Sequence, residues 1–188
     1  QSWQISERDV ILNCLPMFHV GGTMTLGLSG LGAGAHVVVL SPYGLRNKDV
    51  VKNYWRIAER YSATIVGGVP TALVSISESA VGNADLSSVR MIFTGGAITP
   101  VPVAERMENK ISRRVYEQYG MTETAAMIST NLFMGERVLG SVGFRIPFSD
   151  IMVAKQETAE EHPEKCKVGE IGSVLVRGPQ VFPGYKDA

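Results

Sequence analysis

Along the first 130 residues, short apolar runs alternate with stretches in which apolar residues recur at helical spacing. Short, mostly apolar runs predict buried strands at 10–12, 36–40, 64–69, 89–93 and 114–119. Most of these runs precede stretches with apolar residues at helical spacing, and the clearest stretch, 50–61, has lysine, arginine and glutamate between its apolar positions. Strand–helix units in series are typical of a parallel sheet with right-handed crossovers. We therefore predict an α/β fold with a mainly parallel sheet covered by helices on both faces.

Proline and threonine mark the predicted starts of three further helices. Pro70 stands where the first turn of a helix tolerates proline, and Pro100 opens a helix that runs through Lys110. After the strand that ends near residue 119, Gly120 closes the strand and Thr122 stands at the start of a third predicted helix.

Helical periodicity ends near residue 130. Beyond it, glycine-punctuated runs predict strands at 141–144, 151–154 and 172–177, and the charged segment 156–167 is interpreted as a solvated hairpin loop. The pattern predicts an α/β subdomain over residues 1–130, followed by a smaller, truncated β-rich portion over 131–188.

The stretch from Val10 to Leu45 contains no charged side chain other than histidine, which on charge alone is long enough for a membrane span. It is interrupted by Asn13, Pro16, His19 and the glycines at 21, 22, 27, 30, 32 and 34. We interpret it as two buried strands joined by a small-residue helix, and we expect no membrane span.

Composition excludes several classes of protein. Eighteen basic and eighteen acidic residues give zero formal charge, which disfavours nucleic acid as a partner. Hydrophobic residues make up 45% and charged residues 19% of the chain, so intrinsic disorder is excluded.

Cys14 and Cys166 fit neither a zinc motif nor a disulfide framework, and we expect a cytoplasmic protein. Since Gln1 replaces an initiator methionine, we also expect a piece of a longer protein.

Three segments fall at the edge of a parallel sheet where ligands bind. Segments 16–22 and 94–97 follow predicted strands, and segment 116–123 spans the fifth predicted strand and the entry to the next predicted helix. Their glycines let backbone amides approach a flat or phosphorylated ligand, and Tyr119 offers an aromatic face. Thr122 supplies a hydroxyl, and Glu123 supplies a carboxylate suited to Mg²⁺. Together they outline a nucleotide site.

Each of these residues also has a purely structural interpretation. Gly95 and Gly96 are compatible with an ordinary turn. Thr122 is compatible with a helix cap, and Glu123 with an acidic residue that complements a helix dipole. A lone histidine such as His19 is more often partly buried and hydrogen-bonded than a proton-transfer group. Only the placement of these residues at one edge of the predicted sheet favours the functional interpretation over the structural one.

The motifs carry a family resemblance. Residues 119–123, Tyr-Gly-Met-Thr-Glu, resemble the YGxTE motif of the adenylate-forming superfamily, which includes acyl-CoA synthetases, amino-acid adenylation domains and beetle luciferases. Segments 16–22 and 94–97 resemble the family's PxFHxxG and glycine-loop motifs. Segments 140–147 and 169–185 resemble its GSVGxxxP and GEIxxxG…GY motifs. The resemblance spans nearly the whole chain.

The resemblance implies an ATP-dependent carboxylic acid–CoA ligase. In such a reaction a carboxylate and MgATP give an acyl-adenylate, and coenzyme A then takes the acyl group. ATP, Mg²⁺, coenzyme A and a small carboxylic acid would be its cofactors and substrates.

The resemblance also assigns roles to single residues. Glu123 would hold Mg²⁺ and Thr122 would bond a phosphate oxygen, which makes both catalytic. The residues that would bind the nucleotide are Gly95, Gly96, Ala97, Gln118, Tyr119, Gly120 and Thr122. His19 and Gly21 would lie near the acyl and pantetheine channel. Ala126 and Met127 would line the acyl pocket.

Departures from the family pattern qualify these roles. The glycine loop continues with Ile98 where the family has proline. The family's phosphate loop, ribose aspartate and C-terminal lysine domain are not in this chain, so we expect the chain alone to be inactive. His19 follows Phe18 where amino-acid adenylation domains carry aspartate, which favours fatty or aromatic acids. An amino-acid adenylation domain and a non-catalytic nucleotide-binding module remain alternatives, a luciferase-type oxygenation is rarer, and the oligomeric state stays open.

Overall fold

A computed structural model of the chain describes residues 2–155 and 163–186. These residues form nine strands in two sheets. In chain order the strands are β1 (Val10–Asn13), β2 (His36–Val39), β3 (Ile65–Gly68), β4 (Met91–Gly95), β5 (Val115–Met121), β6 (Ala126–Thr130), β7 (Phe144–Arg145), β8 (Asp150–Ala154) and β9 (Ser173–Arg177).

The helical segments lie between the strands of the large sheet. A π-helical segment, Gly21–Leu28, continues into the first α-helix, and 3-10 turns occur at Gly44–Arg46 and Thr122–Thr124. The α-helices are α1 (Ser29–Gly32), α2 (Lys48–Lys52), α3 (Tyr54–Arg60), α4 (Pro70–Glu78) and α5 (Val101–Ile111).

The single helix predicted over 50–61 is wrong, because α2 and α3 are separate. Asn53 interrupts them with φ −103° and ψ 10°, and its side-chain amide donates to the Asp49 carbonyl at 2.9 Å. Asparagine bonds of this kind offer the backbone an alternative to a regular helix.

The large sheet has the order β2-β1-β3-β4-β5-β6-β7. Strands β1 to β5 pair in parallel, whereas β6 and β7 pair antiparallel to their neighbours. All five strands predicted in the first 130 residues are present, with bounds within two residues of those expected. The prediction that the strand at 36–40 is buried is wrong, because β2 is the edge strand of the sheet and its residues are half-buried or exposed. The predicted α/β class with a mainly parallel sheet is confirmed.

Helical segments cover both faces of this sheet, as the sequence predicts. On one face Leu12, Val66 and Ile92 pack in a core that includes Tyr54 and Trp55 of α3. On the other face the alternate strand residues join a second core; its members include Ile11, Ile65, Phe93, Leu26 and Trp3. Successive strand residues point to opposite faces, so each strand contributes to both cores.

The helix predicted to start at Thr122 is wrong. Thr122–Thr124 is one 3-10 turn, and the chain then reverses into β6, which runs antiparallel to β5. The reversal uses left-handed backbone conformations at Ala125, with φ 51°, and a positive φ of 101° at Ala126. The Thr124 hydroxyl donates to the Met121 carbonyl at 3.1 Å and so closes the turn.

The reversal brings two backbone segments unusually close at Gly120. A Cβ atom on Gly120 would lie 1.4 Å from the Ala126 carbonyl oxygen, a distance that no side chain permits. The β5–β6 register also shifts between Tyr119 and Gly120. Glycine at position 120 is therefore required for β6 to pair where it does.

The β-rich portion only partly follows the sequence prediction. Of the strand predicted at 141–144, only Phe144 is in a strand, because Gly143 has φ +74° and the Ser141 N–H instead donates to the Val138 carbonyl at 3.1 Å. Strands β8 and β9 form a separate antiparallel pair close to the predicted positions. Residues 156–162 of the predicted hairpin loop lie outside the described residues. The large sheet continues to Arg145, and the division into subdomains at residue 130 stays a prediction.

No helix in the described part of the chain combines the length and the apolar character needed to cross a membrane.

A buried ion pair joins distant parts of the chain. Arg90 Nε lies 2.7 Å from Asp9 Oδ1, and Arg90 also donates to the Trp3 carbonyl at 3.0 Å. Its guanidinium lies over the Phe133 ring, 4.6 Å from the ring centroid. Burial alone would raise the pKa of Asp9, but hydrogen bonds from Arg90 and Thr64 outweigh it and hold the pKa below its usual value.

We predict that Arg90→Met lowers the free energy of unfolding at neutral pH by about 2–3 kcal/mol, because Asp9 keeps its buried charge without a cation. The lowered pKa of Asp9 means that the contribution of the pair is complete above the unfolded-state pKa of about 4. It is lost as pH falls through the folded-state pKa. Urea unfolding at neutral and acidic pH should show the difference between wild type and variant shrink in acid.

The matched control is Arg177→Met, which removes the exposed Arg177–Asp150 pair and should change stability little. Equal losses for the two variants would contradict the role given to Arg90.

We predict that Gly120→Ala costs about 3 kcal/mol or more of stability, because the new methyl group collides with the Ala126 carbonyl. The control is Gly32→Ala, since a Cβ at that helical position meets no atom within 4 Å and should be neutral or stabilising. Thermal and urea unfolding of both variants provide the measurement. A Gly120→Ala variant as stable as wild type would disprove the close approach.

Candidate active site

The carboxyl ends of β1, β3, β4 and β5 meet at one edge of the sheet, since these strands are parallel. A cleft of about 430 Å³, the strand-end cleft, opens there. Its lining residues are Cys14, Leu15, Pro16, Phe18, His19, Tyr43, Leu45, Arg46, Val69, Thr71, Ala72, Ser75, Phe93, Gly95, Gly96 and Gln118. Residues from all three segments singled out in the sequence therefore converge on one opening.

Segment 16–22 is held by the side chain of Asn13, which is fully buried at the end of β1. Its amide donates to the Gly22 carbonyl at 2.9 Å and accepts from the Leu15 N–H at 3.2 Å. The Gly21 N–H donates to His19 Nδ1 at 3.0 Å, so His19 is held with Nδ1 as acceptor and Nε2 as the protonated nitrogen. His19 is exposed on the wall of the cleft.

The loop at 94–97 is held by a carboxylate that the sequence analysis missed. Glu117 is only 7% exposed and accepts from the Thr99 N–H at 3.1 Å, while the Thr94 and Thr99 hydroxyls bond each other at 3.1 Å. The sequence feature that could have identified Glu117 is the presence of a glutamate within a strand that is predicted to be buried. A Cβ on Gly95 would lie 2.4 Å from Gln118 Cγ, so Gly95 is needed for packing against β5.

Gln118 contributes an unsatisfied acceptor to the strand-end cleft. Its side-chain Oε1 is buried and has no hydrogen-bond partner in the described part of the chain, and the residue lines the cleft. Leaving a buried acceptor unpaired costs about 1–3 kcal/mol. A ligand with an N–H group at this point would remove that cost.

Glu123 is the half-buried middle residue of the Thr122–Thr124 turn and contacts residues near the end of the described chain. Its Oε1 accepts a hydrogen bond from the Tyr185 hydroxyl, and its carbonyl accepts from the Phe182 N–H at 2.8 Å. The bond from Tyr185, aided by a bond from its own backbone N–H, lowers the pKa of Glu123 below its usual value. The same bond raises the pKa of Tyr185.

This geometry removes two of the structural interpretations of the sequence. The helix cap assigned to Thr122 and the helix dipole assigned to Glu123 both need a helix, and the chain forms a three-residue turn there. Those two interpretations are wrong.

A second opening of about 510 Å³, the Met127 cleft, lies between the Gly21–Leu28 segment and β6. Ala126 and Met127 line it together with Trp3, Met24 and Leu28, and none of its lining residues is charged. The residues predicted for one acyl and pantetheine channel are thus divided, because His19 lines the strand-end cleft instead. Neither cleft is lined by the remaining candidates, Gly21, Ala97, Tyr119, Gly120, Thr122 and Glu123.

Several other residues of the strand-end cleft were also missed. Arg46 and Tyr43 follow β2 and bring a positive charge and an aromatic ring to the cleft wall. Thr71 and Ser75 reach it from α4. None of them stands in a recognisable motif, so no sequence signal marks them.

Among the described residues, no group of three or more histidine, cysteine, aspartate or glutamate side chains is placed to hold a metal ion. A cation at this edge would need most of its ligands from a substrate.

Comparison with curated proteins shows relatives that are CoA ligases. The chain is 32% identical over 183 residues to the marinolic acid–CoA ligase of Pseudoalteromonas sp. (strain SANK 73390), covering 97% of this chain and 28% of that protein. It is 27% identical over 178 residues to the long-chain-fatty-acid–CoA ligase of Bacillus subtilis (strain 168), covering 94% of this chain and 30% of that protein. The chain thus spans about a third of their length.

A solved structure shows the same fold and supports the family resemblance. The ATP-bound MatB from Rhodopseudomonas palustris superposes with a TM-score of 0.82 at 28% identity, over 98% of this chain and 34% of that one. The family model described as AMP-binding enzyme matches residues 1–186. The chain therefore belongs to the AMP-binding enzyme family.

Proposed function

We propose that this chain is the central part of an ATP-dependent carboxylic acid–CoA ligase. The observation that carries the proposal is the convergence of segments 16–22, 94–97 and 116–123 on one edge of the parallel sheet. The unpaired acceptor of Gln118 at that edge and the CoA ligases among the relatives support it.

The proposed reaction has two steps. A carboxylate oxygen of the acid attacks the α-phosphorus of ATP, the bond to pyrophosphate breaks, and an acyl-adenylate forms. The sulfur of coenzyme A then attacks the acyl carbon, and AMP leaves with the electron pair of the broken C–O bond. Such transfers depend on positioning and charge neutralisation more than on a protein nucleophile, which suits the residues at this edge.

In this proposal the adenine lies between two layers of backbone. Gly95, Gly96 and Ala97 flank one side, and Tyr119 with its neighbours Gln118 and Gly120 flanks the other. Gln118 Oε1 accepts a hydrogen bond from the adenine amino group, which satisfies the buried acceptor.

Thr122 and Glu123 serve the phosphates. The exposed Thr122 hydroxyl donates to a phosphate oxygen. Glu123 fits Mg²⁺ because Tyr185 occupies only one of its carboxylate oxygens, and Mg²⁺ is usually bound through one or two carboxylates plus substrate phosphates. When bound, the cation would neutralise phosphate charge during the transfer.

The acid and the thiol use the two clefts. His19 and Gly21 lie beside the strand-end cleft, where the pantetheine thiol approaches the acyl group. The Met127 cleft, with Ala126 and Met127 in its wall, receives the tail of the acid. Because no charged side chain lines that cleft, the proposed acid has an uncharged tail, as in fatty or aromatic carboxylates.

Two alternative functions make different demands on the site. An amino-acid adenylation domain needs a carboxylate for the substrate ammonium, and His19 stands where that family branch carries aspartate. A non-catalytic nucleotide-binding module would bind ATP without turnover. The cytoplasmic location stays a prediction.

We predict that the complete protein containing this chain catalyses ATP–pyrophosphate exchange with fatty or aromatic carboxylates and not with free amino acids. Desolvating an ammonium without a carboxylate partner is unfavourable. The 188-residue chain alone should give no exchange, because the remaining ATP contacts are absent. A panel of acids distinguishes the functions: exchange with amino acids alone indicates an adenylation domain, and ATP binding without exchange indicates a non-catalytic module.

We predict that Glu123→Gln lowers adenylation by orders of magnitude while the fold stays intact. The change keeps the size of the side chain but removes the anion that would hold Mg²⁺. Glu105→Gln, on an exposed position of α5, is the matched control and should leave exchange unchanged. Exchange and thermal unfolding are measured on both, and near-parental exchange by Glu123→Gln at saturating Mg²⁺ would rule out the metal role.

A further inference from the structure

The short segment 182–185 is anchored to the Thr122–Thr124 turn from a distance of 62 residues along the chain. At one end of the segment the Phe182 N–H donates to the Glu123 carbonyl at 2.8 Å. At the other end the Tyr185 hydroxyl donates to Glu123 Oε1. The Phe182 and Tyr185 rings pack edge to face with centroids 4.8 Å apart, which keeps the segment folded between its two bonds.

Both bonds converge on Glu123 alone. A half-buried glutamate on a turn still samples several rotamers unless a partner holds it, and holding one rotamer has an entropic cost. The backbone bond fixes the position of residue 123, and the phenol bond fixes the direction of its carboxylate. Among the other described residues only Tyr185 bonds this carboxylate, and it uses Oε1.

We propose that Tyr185 is a positioning residue, which holds the Glu123 carboxylate by Oε1 and leaves Oε2 to the divalent cation of the bound nucleotide. The inference rests on the proposed function, since it assigns Glu123 to that cation. Carboxylates that ligate metals are themselves commonly held by hydrogen bonds, and removing such a partner weakens metal binding.

A purely structural role for Tyr185 predicts different experimental results. If the hydroxyl only secured the segment 182–185, its loss would lower thermal stability and leave the cation dependence unchanged. A positioning role changes cation affinity selectively, and the change depends on the presence of Glu123.

The test uses Tyr185→Phe in the complete protein, because phenylalanine keeps the ring contact with Phe182 and removes only the hydroxyl. In the presence of a non-hydrolysable ATP analogue, Mn²⁺ binding measured by electron paramagnetic resonance should weaken about tenfold. The Mg²⁺ concentration for half-maximal pyrophosphate exchange should rise by the same factor, with the rate at saturating Mg²⁺ little changed.

The matched control is Tyr61→Phe. Tyr61 follows α3 and precedes β3, so it lies at the opposite edge of the sheet, and its variant should leave both readouts unchanged. In a Glu123→Gln background, Tyr185→Phe should weaken Mn²⁺ binding no further. Additive losses in the double variant, or unchanged Mn²⁺ affinity in the single variant, would overturn the proposal.

A third measurement needs no variant and remains informative if Tyr185→Phe fails to fold. With ¹³C-labelled tyrosine, adding Mg²⁺ together with the ATP analogue should shift the Tyr185 phenol resonance more than adding the analogue alone. Identical spectra would contradict the proposal. If no acid supports exchange, the proposed ligase function fails, yet the Mn²⁺ and resonance measurements still decide the role of Tyr185.

Discussion

The close approach of Gly120 to the Ala126 carbonyl is the constraint on which the shape of the candidate site depends. Five parallel strands precede this point, and the sheet becomes antiparallel directly after it. The chain can reverse so tightly only because position 120 lacks a side chain and because Ala125, directly before β6, and Ala126, its first residue, both adopt positive φ. As a result, Glu123 lies on a short turn at the sheet edge instead of inside a helix.

The sequence predicts the parallel sheet well and this reversal badly, for one physical reason. Apolar runs of the kind that strands buried on both faces need make β1 to β5 visible without any tertiary information. They do not show that β2 lies at the edge of the sheet, where its residues are half-buried or exposed. The residues after Thr122 include Ala125, Ala126 and Met127, which favour helices locally. Tertiary pairing with β5 overrides that preference, and no local pattern records it. The same limit explains Asn53, where a side-chain bond divides a helix that periodicity predicts as continuous.

The candidate-site residues that belong to sequence motifs could be predicted, whereas those that reach the site only through tertiary contacts could not. Gly95 and Gly96 follow from their place at the end of a strand, and Gln118 follows from its place beside the YGxTE motif. Glu117, which holds the glycine loop, and Arg46, which lines the strand-end cleft, come from geometry alone. The separation of His19 from Met127 into two clefts is likewise invisible in motif order, because each cleft is formed by tertiary contacts between segments that are distant in the sequence.

The carboxylates of Asp9 and Glu123 show how the environment of a side chain suits it to a structural or to a chemical role. Asp9 is buried, and Arg90 and Thr64 occupy its oxygens, so its charge serves the fold. Glu123 is half-buried and accepts from Tyr185 through one oxygen, and solvent screening limits the effect of this bond on stability. A crystal structure of the complete protein with Mg²⁺ and a non-hydrolysable ATP analogue tests this account most directly. We predict the adenine amino group at Gln118 Oε1 and the cation at Glu123 Oε2, with Tyr185 still bound to Oε1; a nucleotide bound away from this edge would contradict the account.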